Sequence, residues 1–142
     1  MIGFGLSVPM RAPLGGPGLG EELVTDVGFD NAALWTLGTG WSISGGIATK
    51  IAGTNSFISL TGSTVVPGIY YQVTTVVTAR TAGAALINIG NTDGVGRTAP
   101  GTYTETILAT TSTTAGAAGG ITIYGNGTFA GSYSSISVKR LS

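Results

Sequence analysis

The chain has 142 residues, six Lys plus Arg against six Asp plus Glu, and neither His nor Cys. That length suits one domain with a buried core and leaves no room for a second. The missing residue types exclude imidazole proton transfer, thiol chemistry, disulfides and zinc sites, and the balanced charge offers no field to a phosphate backbone or an anionic membrane surface.

Charged residues are 8% of the chain, against a usual share of about 25%. Hydroxyls and backbone must therefore cover the surface. Such a surface opposes self-association only weakly, which favours life inside an assembly and a homo-oligomer over a free monomer. Nucleic acid and membrane are not expected as partners, and no cofactor is expected.

In chain order, residues 1–20 read as a Gly/Pro-rich arm and 21–142 as the folded domain. Ile2, Phe4, Leu6 and Val8 alternate with Gly3, Gly5 and Ser7, the two-residue period of a strand with one apolar face. Those four side chains are the expected partner-docking residues, adding as a strand to a partner subunit or folding back on their own domain. Arg11 through Gly18 then serves as an extended spacer. Arg11 follows the apolar residues, and Pro9, Pro13 and Pro17 interrupt them, so a secretory signal is not expected. No apolar stretch approaches the roughly 18 residues that a spanning helix needs.

From Glu21 onward the segments read as strands separated by Gly-containing turns. The expected strands are Glu22 to Val27, Leu34 to Leu37, Trp41 to Ser44, and Ile47 to Ile51 across a Gly45-Gly46 turn. Phe57, Ile58 and Leu60 continue the pattern, and Val66-Pro67-Gly68 turns into the longest strand, Ile69 to Arg80, expected at the centre of a sheet. Ala84 to Ile89, a turn at Gly90 to Gly94, and Thr102 to Ala109 follow, with Tyr103, Glu105 and Ile107 on one face. Thr110 through Gly120 is low-complexity and reads as a loop. Ile121 to Tyr124 and Phe129 to Lys139 read as a hairpin about Asn126-Gly127. Many short strands with frequent turns and no fixed-period repeat predict an all-β single jelly-roll sandwich, not a solenoid.

Gly28-Phe29-Asp30, the hairpin carrying Trp41, Ile43 and Ile47, and the closing Ser132-Tyr133-Ser134-Ser135-Ile136-Ser137-Val138 resemble the ends of carbohydrate-binding-module-like (galactose-binding-like) jelly rolls. Such domains recur in glycan-binding modules and in structural proteins of tailed bacteriophages. In many glycan-binding relatives a calcium ion bridges these ends, held by a carboxylate of the opening loop and an Asp before the closing strand. Ser134 or Ser135 stands at the second position here, and a neutral hydroxyl is a weaker calcium ligand than a carboxylate. No metal is expected; a calcium, if bound, would fall to Asp26 and Asp30.

Glycan recognition needs exposed aromatic rings and a few polar groups. Trp35, Tyr71, Tyr103 and Glu105 are the candidates for such contacts. No catalytic residue is expected. The six acids are scattered without the spacing of a glycosidase pair, a serine nucleophile would lack its histidine, and the Gly-rich segments lack the Lys-Ser/Thr ending of a phosphate loop. The resemblance and the arm together lead to the expectation of a non-enzymatic virion protein. It would be assembled in the host cytoplasm, joined to capsid or tail subunits through the arm, with glycan as a further ligand. A free-standing carbohydrate-binding module is the alternative.

Overall fold

A computed structural model describes residues 18–110 and 120–142. Ile2, Phe4, Leu6 and Val8 lie outside those residues, as does most of the expected Thr110 to Gly120 loop. The described strands are β1 (Leu19–Glu22), β2 (Trp35–Leu37), β3 (Trp41–Ser44), β4 (Ile47–Lys50), β5 (Ser56–Leu60), β6 (Tyr70–Ala82), β7 (Ala85–Ile89), β8 (Thr92–Asp93), β9 (Gly101–Leu108), β10 (Ile121–Gly125) and β11 (Ala130–Leu141). A single 3-10 turn, Ala32–Leu34, precedes β2.

One antiparallel sheet runs β9-β6-β11-β4-β3, with β1 also beside β11; the other runs β2-β5-β10-β7-β8. From β4 the chain alternates sheets, so that β4 meets β11, β5 meets β10 and β6 meets β9, while β7 and β8 form a hairpin. First-with-last and second-with-penultimate pairing is the wrapping of a jelly roll. The core between the sheets is built from alternate residues of each strand: Ile58, Ile87, Ile89, Ile121 and Ile123 from one, Val73, Val77, Ile136 and Val138 from the other.

Two expected elements differ. The segment after Glu22 is not a strand: β1 begins earlier, at Leu19, and residues 25–28 form a turn. Gly18 is tied to the far end of the domain, its N–H donating to Ser142 Oγ at 3.0 Å, so the folded part starts inside the segment read as arm. The chain around Asn126-Gly127 is also not a hairpin, because β10 and β11 belong to opposite sheets. Asn126 instead turns the corner between them. Its Oδ1 accepts from Thr128 N and Oγ1 at 3.1 and 2.9 Å, and its backbone N–H donates to Ala84 O at 3.1 Å. The Asn side chain that mimics a backbone turn thus serves a crossover.

Candidate functional site

Asp26 and Asp30 stand in different surroundings. Asp26 is 7% exposed, and both of its oxygens are occupied by N–H donors: Oδ1 by Asp30 N at 2.8 Å, Oδ2 by Asn31 N at 3.0 Å and by Trp35 Nε1 at 3.0 Å. Burial pushes its carboxyl pKa up, but the backbone N–H groups and the indole outweigh that effect and hold it below the ordinary value. Asp26 therefore organises the 26–31 loop and fixes the Trp35 ring, which packs 5.0 Å from Phe29. Asp30 is exposed beside it. Among the described residues no three acidic side chains gather where a metal ion would sit.

Trp35 and Tyr71 are core residues, 5% and 2% exposed, and present no ring face to a ligand. The period-two alternation that hides Tyr71 turns its neighbour Tyr70 outward, 53% exposed. Tyr71 hydroxyl accepts from Val66 N at 2.9 Å and so secures the turn before β6.

Tyr103 and Glu105 do come together, on the inner side of β9. Glu105 Oε2 pairs with the Arg97 guanidinium at 3.2 Å, Oε1 accepts from Val95 N at 2.9 Å, and the guanidinium stacks 4.2 Å from the Tyr103 ring centre. Tyr103 hydroxyl in turn donates to Ala99 O at 2.7 Å. This network ties the 94–99 loop to β9 and closes that side of the sandwich. Its one carboxylate is neutralised by its one guanidinium, which leaves no free acid or base there. Tyr133 lies within electrostatic reach of it, fully buried, with a hydroxyl that has no hydrogen-bond partner among the described residues. Burial raises that phenol far above its usual pKa against the opposing charge of Arg97, while Glu105 and Tyr103 add to the rise; the group stays neutral.

Lys50 was not legible as a structural residue. It is 1% exposed on the inner face of β4, and its ammonium donates to Ile51 O and Asn126 O at 3.1 Å each and to Phe129 O at 3.5 Å. Its stem crosses Gly125, where an added Cβ would lie 2.5 Å from Lys50 Cδ. Burial lowers its pKa from the ordinary value. With two of its hydrogen bonds made to carbonyls at the β10–β11 corner, the ammonium ties β4 to that corner.

Two surface features remain. On the outer face of the first sheet, Thr102, Thr104 and Thr106 of β9 lie opposite Val76, Thr74 and Gln72 of β6, and Ser135, Ser137 and Lys139 of β11 complete the rows. Thr74 and Thr104 hydroxyls bond at 3.0 Å. This is the hydroxyl-covered surface that the composition requires, bounded at one end by Tyr70 and Leu108. The second feature is β9 itself, a sheet edge of 8 residues. Among the described residues its backbone pairs only with β6. The other edge strands have four residues or fewer.

A depression of about 230 Å³ between the segment after β1 and the turn after β5 is lined by residues such as Leu23, Thr25, Thr61 and Ser63, without an ionisable side chain. The described arrangement offers hydroxyls, the exposed ring of Tyr70 and an open strand edge, a chemistry of contact and strand pairing. No protein-family model, curated protein or solved structure matches the chain.

Proposed function

We propose that this chain is a non-enzymatic structural module of a larger assembly, a virion protein of a tailed bacteriophage displayed on capsid or tail. Its N-terminal arm would join it to the particle, and the jelly roll would be the displayed part. The observation that carries the reading is the β9 edge, unpaired on its outer side among the described residues, in a chain with 8% charged residues. An unguarded edge on a domain with little charge repulsion is an aggregation hazard for a free monomer and an advantage for a subunit. The resemblance of the opening and closing segments to phage jelly rolls supplies the class. Deleting residues 1–17 keeps β1 and the Gly18–Ser142 tie; the truncated protein is expected to retain its β-sheet circular dichroism and to lose incorporation into particles by at least about tenfold, a factor set by loss of the arm's contacts. Normal incorporation of the truncated protein would overturn the reading.

The carbohydrate-binding alternative has one observation in its favour. Tyr70 is exposed, with Gln72 two residues along on the same sheet face and Thr106 opposite Gln72, a ring beside hydrogen-bonding groups of the kind sugars use. On that reading the protein binds a polysaccharide at millimolar strength or better, and Tyr70→Ala weakens the binding about tenfold, the loss of one stacking contact. A sugar array without signal removes it.

A further inference from the structure

We infer that the open rim of β9 receives the segment Ile2–Val8 from a second copy of this chain, added as an antiparallel strand. This rests on the assembly reading above and names the partner. The rim lacks the devices that protect exposed edges: Gly101–Leu108 contains no Pro and no Lys, and its register with β6 is unbroken by a bulge. Its single charge, Glu105, is turned inward and paired with Arg97. An incoming strand therefore meets no unpaired charge and no steric guard.

The segment fits the rim in length and in pattern. Ile2 to Val8 is seven residues against the 8 of β9. With Gly3, Gly5 and Ser7 on the outer face beside Thr102, Thr104 and Thr106, the side chains of Ile2, Phe4, Leu6 and Val8 point to the inner side. There the 94–99 loop leaves Val95 56% exposed, next to Glu105, whose carboxylate accepts the Val95 N–H. Apolar residues on the incoming strand would cover that valine and extend the core past β9.

The position of Gly18 favours a neighbour's segment over the chain's own. Gly18 is held at Ser142, beside the β9 row that ends at Leu108, and three strands away from it in the order β9-β6-β11-β1. An antiparallel strand on β9 ends its Val8 at the opposite, Gly101 end. The gap from there to Gly18 is roughly 30 Å, from seven residues of strand and four inter-strand spacings, since the added strand lies one step beyond β9. The spacer Pro9–Pro17 spans at most about 35 Å, fully stretched, and would have to lie nearly taut across the hydroxyl face. A second copy carries no such constraint. Each copy would give one segment and receive another, a head-to-tail contact that closes into a ring or continues as a filament.

The absence of cysteine from the chain makes a direct test available. Gly5→Cys is prepared as one protein and Thr102→Cys, Thr104→Cys or Thr106→Cys as others, and each pair is mixed under mild oxidation. Directly opposite residues of paired strands bring their Cβ atoms within disulfide reach. The expected result is a disulfide-linked dimer of the two variants for at least one position. Its yield should be at least about tenfold above that with Gly53→Cys as the β9-remote control, because docking raises the local concentration. Unchanged emission from the buried Trp35 and Trp41 confirms that each variant is folded. No cross-link above control at any of the three positions overturns the inference. So does a cross-link in a Gly5→Cys/Thr104→Cys double variant that forms only within one chain. Loss of particle incorporation on deleting 1–17 without any β9 cross-link would sink this inference and leave the assembly reading standing; a β9 cross-link with normal incorporation of the truncated protein would do the reverse.

Discussion

Replacing Asp26 by Ala is expected to lower the unfolding free energy by about 4 kcal/mol, the cost of leaving several buried N–H donors without an acceptor. The donors are the backbone N–H groups of Asp30 and Asn31 and the indole of Trp35. Asp26→Asn keeps the volume and one acceptor oxygen and should cost about half as much. Urea denaturation followed through tryptophan emission reads both. The pH dependence has a definite sign. The folded pKa of Asp26 lies below the ordinary carboxylate value of 3.8, so its contribution is fully present above that value and is lost as the pH falls through the folded pKa. The wild-type protein should therefore lose more stability than Asp26→Asn on acidification below about pH 4. Equal acid sensitivity of the two proteins would show that the carboxylate does not hold the loop.

Lys50→Ala is expected to be comparably severe, about 4 kcal/mol. It removes buried methylene groups at about 0.8 kcal/mol each and strips the carbonyls of Ile51, Asn126 and Phe129 of their donor. Lys50→Met retains the stem over Gly125 and loses only the ammonium, so it should cost about 2 kcal/mol. The gap between the two substitutions measures packing against hydrogen bonding at one site. If Lys50→Met were as stable as the wild type, the ammonium would have no structural part in the β10–β11 corner, and burial of its charge would be compensated elsewhere. The same chemical denaturation experiment decides it.

Most of the strands were legible because their side chains alternate. Trp41 to Ser44, Ile47 to Lys50, Ser56 to Leu60 and Ala85 to Ile89 carry the two-residue period, and Gly45-Gly46 and Val66-Pro67-Gly68 mark the turns between elements by their backbone preferences. The long Tyr70–Ala82 strand was legible as central because its hydrophobic and β-branched density suits burial on one face with neighbours on both sides. Local signals failed where the chain changes sheets. An Asn-Gly pair between two strands carries the same preference whether the strands pair with each other or part to opposite sheets, and only the partners of Ile121–Gly125 and Ala130–Leu141 separate the cases.

The candidate site was legible in part. Tyr103 and Glu105 were placed on one face by their spacing, and they do meet, but the guanidinium that joins them comes from Arg97 in a loop whose path no periodicity describes. Tyr71 was expected to meet a ligand, but the face of β6 that carries it packs into the core, and its neighbour Tyr70 is the exposed ring. The role of Lys50 had no sequence signal, since an isolated lysine in a strand usually reaches solvent. It is buried because the carbonyl of its neighbour Ile51 and those of the distant Asn126 and Phe129 converge on it.

Composition and alternation alone determined that the protein is all-β, poor in charge and without imidazole or thiol chemistry, because those properties belong to single residues and to the pleat of a strand. Tertiary structure alone decided which strands share a sheet, which edge stays open and where Asp26 and Lys50 are spent. Those outcomes depend on contacts between residues far apart in the chain, and the free energy of such a contact is set by what surrounds it after folding, not by the residues beside it in sequence.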